Sequence, residues 1–251
     1  MSNDHVQQPG GMPEIALVLA GGLGRRLRPV VNDRPKVLAP VAGRPFLAYL
    51  LSYLNRKGLR SVILCVGYLA DQVVEAIGDG RRWEIEVRYS REITPLGTAG
   101  ALRLASAEID RTFFVLNGDT LFLADLQLLW KTHHKAGVLG TLALLPVANS
   151  AGRGCVNLSA DGKISSFEEK PLSQGPALIN AGVYLLEPGA LASVPPEQEV
   201  SLERQVFPRL AAQGQLAGSV QSAYFADIGT PTSLEVFKKD IQSGKIVGGF
   251  I

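Results

Sequence analysis

Along the first half of the chain, short apolar runs alternate with longer amphipathic stretches. Residues 15–20, 61–66, 84–89, 112–116 and 139–145 read as buried strands. Between them, residues 45–57, 69–77, 97–108 and 123–136 carry helical patterns. Strands alternating with helices of this size predict an α/β fold, a parallel sheet covered on both faces, with active loops at its carboxyl edge. The second half changes rhythm. Residues 155–158, 163–167 and 178–186 are strand-like and separated by turn residues, and Asp161-Gly162 is a hairpin signal. Helices return at 202–213 and 232–242. This half predicts a small β-rich subdomain added to the first sheet.

The 251 residues form one domain in two halves, 14–145 and 146–251, behind a polar tail at 1–13. That tail contains Pro9-Gly10-Gly11 and has no apolar signal core, so it predicts disorder without export, and Met12 offers a second start. An apolar content of 46% supplies a core, and a net charge of +2 gives no overall basic field for nucleic acid. No apolar run has the length of a membrane span. The two cysteines, Cys65 and Cys155, sit in apolar surroundings and read as buried free thiols, which suits a reducing cytoplasm. Composition leaves a homo-oligomer open.

Chemistry concentrates after the first strand. Leu19-Ala20-Gly21-Gly22-Leu23-Gly24 places three glycines in four residues, a backbone able to turn its N–H groups onto an anion. Arg25, Arg26, Arg28, Arg34 and Lys36 crowd the same region and suit a triphosphate. A P-loop would need a glycine, four residues, then Gly-Lys-Ser/Thr, and no such run is present. A dinucleotide fingerprint fails at its third glycine, where Leu27 stands. A plain glycine turn with solvated arginines is the bland alternative.

Two aspartates stand beside glycines at strand ends: Asp119 in Asn117-Gly118-Asp119 and Asp227 in Ala226-Asp227-Ile228-Gly229. Together they could hold one Mg²⁺ bridging reacting phosphates; alternatively Asp119 caps a turn or helix and Asp227 caps a helix with Thr230. Lys170, in Glu168-Glu169-Lys170-Pro171, sits in extended backbone before proline and can reach a second substrate's phosphate, or be one of a surface charge cluster. Asn180 can bond sugar hydroxyls or simply make a turn. The adjacent His133 and His134 have no metal-ligand spacing and are read as solvated.

The ordered segments LAGGLGRRL, RPK, PLGTAGAL, LNGDT, EEKP, INAGVY and FADIGTP resemble the sugar-1-phosphate nucleotidyltransferases over residues 15 to about 240. The resemblance implies a Rossmann-like fold and transfer of a nucleoside monophosphate to a sugar 1-phosphate with release of pyrophosphate. It implies Arg26 on the triphosphate, Lys36 near the α-phosphate, and Asp119 and Asp227 on Mg²⁺. It puts Leu19, Ala20, Gly21, Gly22, Gly24, Gly97 and Thr98 along the nucleotide. Lys170 would grip the sugar phosphate, with Gly154, Glu169 and Asn180 near the sugar. Arg25 departs from the small or hydroxyl residue often found at its position.

The family reads the base with the segment around Arg91-Glu92 and Pro95-Leu96-Gly97. Guanine presents two donors on its pairing edge, and a carboxylate accepts both, so Glu92 points to GTP; the alternative is that Glu92 pairs with a nearby arginine. Within the family the motifs are most similar to D-glycero-D-manno-heptose 1-phosphate guanylyltransferases, then to mannose-1-phosphate guanylyltransferases. A regulatory subunit that binds nucleotide sugars without turnover is the alternative from another class.

Overall fold

The computed structural model describes residues 11–246 except Leu23, Arg25, Arg28, Ala151 and residues 170–174. Most of the expected tail and the roles assigned to Arg25 and Lys170 therefore fall outside the described residues. In chain order the elements are β1 (Ile15–Leu19), β2 (Pro40–Val41), β3 (Arg44–Pro45), α1 (Phe46–Arg56), β4 (Ser61–Val66), α2 (Ala70–Ile77) and β5 (Glu86–Arg91). There follow α3 (Gly97–Ala105), β6 (Phe113–Asn117), β7 (Thr120–Phe122), α4 (Leu126–Ala136), β8 (Gly140–Val147), β9 (Cys155–Leu158), β10 (Ile164–Glu168) and β11 (Ala177–Leu186). The chain ends with α5 (Phe207–Ala212), β12 (Leu216–Val220), β13 (Phe225–Asp227) and α6 (Pro231–Gln242).

β1 shows why the sheet needs two covers. Its side chains alternate between the faces. Ala16 and Val18 join one apolar cluster, with α1, α2, α4 and α6, while Ile15 and Leu17 join another, with α3 and α5. Both clusters are built from fully buried large side chains, among them Phe46, Phe113, Phe114 and Phe207.

The sheet runs β10-β9-β11-β6-β1-β4-β5, with β8 also on β11 and β12 on β8. The β6-β1-β4-β5 portion is parallel throughout. Its carboxyl ends carry Gly21, Gly67, Glu92 and Asp119 to one edge. The β-rich half continues this sheet, since β11 pairs antiparallel with β6, β8 and β9.

Some expectations change. The strand expected at 139–145 does not extend the parallel set: β8 lies beside β11, antiparallel, and β12 is its parallel neighbour. β12 carries Gly218, where a Cβ would sit 2.5 Å from Leu144 Cδ1; close packing there removes a side chain from the pattern. The helix expected at 202–213 begins as a π turn, Leu202–Val206, and becomes α-helical at Phe207. His133 is buried, not solvated. One ring nitrogen lies 2.8 Å from Thr141 Oγ1 and the other 3.0 Å from Glu187 Oε1, because α4 turns that residue inward while His134 stays exposed. Cys65 is buried as expected, and Cys155 only half-buried.

Candidate active site

The glycine loop opens where β1 ends. Ala20 N–H still donates to Cys65 O on β4, after which the chain leaves the sheet. A Cβ on Gly21 would stand 3.1 Å from Glu92 Oε1 and 3.2 Å from Gly67 N, while one on Gly22 would meet open space. Gly22 thus faces the cleft without a side chain in the way. Gly24 has φ +58°, a left-handed conformation that favours glycine, and its carbonyl accepts from Leu27 N–H. Leu27 is buried and pins the loop, which leaves the neighbouring Arg26 at the surface.

Asp119 and Asp227, 108 positions apart in the chain, meet through a ribbon of two three-residue strands. β7 pairs antiparallel with β13 so that Asp227 faces Thr120, and Ile228 N–H donates to Asp119 O. Lys36 Nζ donates to Asp119 Oδ2, and both side chains are largely shielded. Asp227 Oδ1 accepts from Gly229 N–H in the turn before α6 and from Ser233 Oγ in the first turn of that helix, where Thr230 is the N-cap. Thr230, with Ser233, makes the cap, and Asp227 only supports it through one oxygen. The other, Oδ2, lies 3.9 Å from Arg153 Nη2. A Cβ on Gly229 would lie 3.3 Å from both Arg26 Nη2 and Asp227 Oδ1, so Arg26 reaches across to the same turn.

Among the described residues no three His, Cys, Asp or Glu side chains converge as a metal cage. Asp119 and Asp227, brought together by their backbones, nonetheless offer the carboxylate oxygens suited to a hard divalent cation that takes its remaining ligands from phosphates and water. The residues present fit such an ion.

The opposite end of the cleft is acidic. Glu92 leaves β5 with its N–H on Val66 O and its Oε2 accepting Leu96 N–H at 3.0 Å. Burial, with the charge of Glu199 adding to it, holds the Glu92 carboxyl above its ordinary value against the effect of the Leu96 bond. Glu92 forms no ion pair among the described residues; its neighbour Arg91 bonds Asp71 at 2.8 Å. Gly97 has φ +69°, and a Cβ there would come within 2.6 Å of Val200 O. Thr98 Oγ1 donates to Glu203 Oε2 and accepts Leu202 N–H, both at 2.8 Å.

Between the ends lies a cleft of about 560 Å³. Leu19, Ala20, Gly21, Gly22, Lys36, Glu92, Gly97, Thr98 and Asp119 line it, while Arg26 and Asp227 are not among its lining residues. It is also lined by Asn117, which stands in the LNGDT segment but was given no role, and by Tyr68, Glu199 and Glu203, which no motif marked. Gly24 lies just behind Lys36. Burial pushes the Cys65 thiol up to about 12, so this lining residue stays protonated and is no nucleophile.

Gly154, Glu169 and Asn180, the described residues expected at the sugar, are not among those that line this cleft. Gly154 O accepts Asn180 N–H at 2.9 Å. Asn180 Nδ2 donates to the buried Tyr184 hydroxyl, and Asn180 Oδ1 accepts Gly182 N–H, both at 3.0 Å. Glu169 is ion-paired with Arg204 at 2.5 Å.

A profile of the nucleotidyl transferase family matches residues 15–244. The chain belongs to that family. It is 36% identical to the D-glycero-alpha-D-manno-heptose 1-phosphate guanylyltransferase of Aneurinibacillus thermoaerophilus, over 90% of this chain and 98% of that one. It is equally 36% identical to the mannose-1-phosphate guanylyltransferase of Mycobacterium tuberculosis, over 91% of this chain but 65% of that protein. Its fold matches the crystal structure of HddC from Yersinia pseudotuberculosis with a TM-score of 0.81 at 30% identity, covering 91% of this chain and 99% of that one. The HddC structure complexed with GMP-PN matches with a TM-score of 0.80. Among the described residues no helix is long and apolar enough to cross a membrane.

Proposed function

We propose that this nucleotidyltransferase moves a guanylyl group from GTP to D-glycero-α-D-manno-heptose 1-phosphate, giving GDP-heptose and pyrophosphate. One observation carries the base assignment. The Glu92 carboxylate stands at the cleft wall beside Gly21 and Gly67, oriented by Leu96 N–H and paired with no arginine among the described residues. Such a group accepts both donors of guanine's pairing edge. The heptose assignment rests on the A. thermoaerophilus relative, nearly all of which the chain covers. Mannose 1-phosphate is the second reading, supported by the M. tuberculosis relative at the same identity.

The sugar phosphate oxygen is already a nucleophile and needs no general base, so catalysis reduces to alignment and charge neutralisation. In this reading Lys36 faces the α-phosphate where charge accumulates. Arg26 holds the departing pyrophosphate. Asp119 and Asp227 would hold Mg²⁺, which supplies further charge neutralisation at the reacting phosphates. Lys170, with Gly154, Glu169 and Asn180, would hold the second substrate. The unpaired Cys65 and Cys155 fit a reducing cytoplasm as its place of work.

The test is a pyrophosphate-release screen of GTP, ATP, UTP and dTTP against heptose, mannose and glucose 1-phosphates with Mg²⁺. The expected best pair is GTP with the heptose 1-phosphate. Preference for dTTP or UTP overturns the base assignment. Nucleotide binding without pyrophosphate release overturns the enzyme reading in favour of a sensor.

A further inference from the structure

Arg153 belongs to none of the ordered segments that mark the family, yet it stands where two parts of the site meet. Its backbone lies on the sugar side. The chain turns through Gly152, at φ +71°, and Arg153 N–H donates to the carbonyl of the buried Ser150 at 3.0 Å. The next residue, Gly154, is tied to β11 through Asn180 N–H. Its side chain lies on the aspartate side. The guanidinium sits over the Phe225 ring, 5.6 Å from its centroid, and Phe225 packs edge-on against Phe122. Those two rings belong to β13 and β7, the ribbon that brings Asp227 to Asp119. Arg153 Nη2 is thereby 3.9 Å from Asp227 Oδ2.

That ion pair is loose. Lys36 donates directly to Asp119, and Arg204 reaches Glu169 at 2.5 Å, whereas 3.9 Å is too long for a hydrogen bond. With 41% of its side chain exposed, Arg153 can turn on the ring without breaking a direct bond to Asp227. Asp227 Oδ1 is taken by Gly229 N–H and Ser233 Oγ, which leaves Oδ2 for a cation. A divalent cation there would repel the guanidinium. A phosphate would attract it, because the planar fork matches two phosphate oxygens. The phosphate of a sugar 1-phosphate has to lie between the aspartates and a sugar beside Gly154 and Asn180. Arg153 spans that interval.

We propose that Arg153 binds the phosphate of the sugar 1-phosphate, kept beside the reaction centre by Phe225 and competing there with the divalent cation for Asp227. The inference rests on the sugar-1-phosphate reading above.

The tests are Arg153→Gln, which keeps most of the length without the charge, and Arg153→Lys, which keeps the charge without the fork. With the best substrate pair of the screen above, KM for the sugar 1-phosphate should rise roughly 10- to 100-fold in Arg153→Gln, the loss of a charge-assisted hydrogen bond. Arg153→Lys should recover part of that loss. KM for the triphosphate should change by less than about threefold, since only the second substrate loses a contact. The melting temperature should stay within a few degrees, because a loose, exposed ion pair contributes little to folding. Mn²⁺ binding to the enzyme without sugar phosphate, read from the paramagnetic resonance of the free ion, should tighten on the order of threefold in Arg153→Gln, because a neighbouring positive charge is gone. A KM for the sugar 1-phosphate within about twofold of wild type, a triphosphate KM that rises as much as the sugar's, or Mn²⁺ binding that is unchanged or weaker each overturns the proposal. Wild type that turns over no sugar 1-phosphate overturns the functional reading and this inference with it, whereas the three outcomes above overturn the inference alone.

Discussion

The two ends of the cleft solve opposite problems. At one end Lys36, Arg26 and Arg153 gather around Asp119 and Asp227, so positive and negative groups are interleaved. At the other, Glu92, Glu199 and Glu203 line the wall, and none is in an ion pair among the described residues. Two of these carboxylates are oriented instead by neutral donors, a backbone N–H for Glu92 and two hydroxyls for Glu203. A bond from a neutral donor leaves the charge available to a ligand, whereas an ion pair must be exchanged for one. The basic end therefore suits phosphates and a cation that replace its internal pairs. The acidic end suits uncharged groups rich in donors. A nucleoside triphosphate and a sugar phosphate each have one part of either kind.

The sharpest break of this contrast comes from the basic end. Asp119→Asn and Asp227→Asn should each lower turnover by about two to three orders of magnitude, the cost of losing an electrostatic partner of the transition state. Folding should change little, because the Asp227 bonds from Gly229 N–H and Ser233 can be kept by the amide oxygen. Lys36→Ala should lower kcat by about 10²-fold with a smaller change in KM for the sugar phosphate, since its charge matters most as charge builds at the α-phosphate. Lys170→Ala should instead raise that KM. Steady-state kinetics at saturating Mg²⁺ checks all four. An Asp variant with wild-type turnover is not a metal ligand, and a reversed lysine pattern overturns their assignment.

These two ends differ in how far they were legible beforehand. The glycine loop, Lys36 and Glu92 follow directly on strands or on short spacings, so local pattern was enough. The parallel core came through for the same reason in β6, β1 and β4, which are runs of mostly buried apolar residues, whereas the edge strand β5, Glu86–Arg91, buries only Val87 and lies two residues beyond the expected 84–89. Asp119 and Asp227 were legible as residues, but their meeting was not. It depends on β7 and β13, three residues each, too short to show a period. Glu203 was hidden because its partner Thr98 is 105 residues away, and Arg153 because it approaches Asp227 only through the fold. His133 was misread since an adjacent pair on a helix cannot show which ring turns inward until Thr141 and Glu187 are in place.

A milder change sharpens the acidic end. Glu92→Gln replaces one acceptor by an amide that opposes a guanine donor, at a cost of roughly 2–4 kcal/mol. The kcat/KM for GTP should fall by about two orders of magnitude, while that for dTTP or UTP holds or rises. Measuring each triphosphate against one fixed sugar phosphate decides the matter. A variant that keeps its GTP preference removes Glu92 from base recognition.

The smallest effect is one of pH, and it separates the two ends without altering either. Burial raises the Glu92 carboxyl above its ordinary value, with the Glu199 charge adding to the shift. Guanine needs the ionised form, because a protonated carboxyl places a donor against a donor. The affinity for GTP should therefore be full above the raised pKa and weaken as pH falls through it, by at most about tenfold per pH unit. The decline should begin at a higher pH than an exposed carboxylate would give. The triphosphate's own protonation falls in a similar range, but it acts on wild type and Glu92→Gln alike. The quantity to measure is the ratio of their KM values for GTP on descending from neutral pH. Since only wild type loses an ionised acceptor, that ratio should narrow on acidification. A ratio that stays constant would mean the Glu92 charge is not in contact with the base, and the acidic end would lose its claim to guanine.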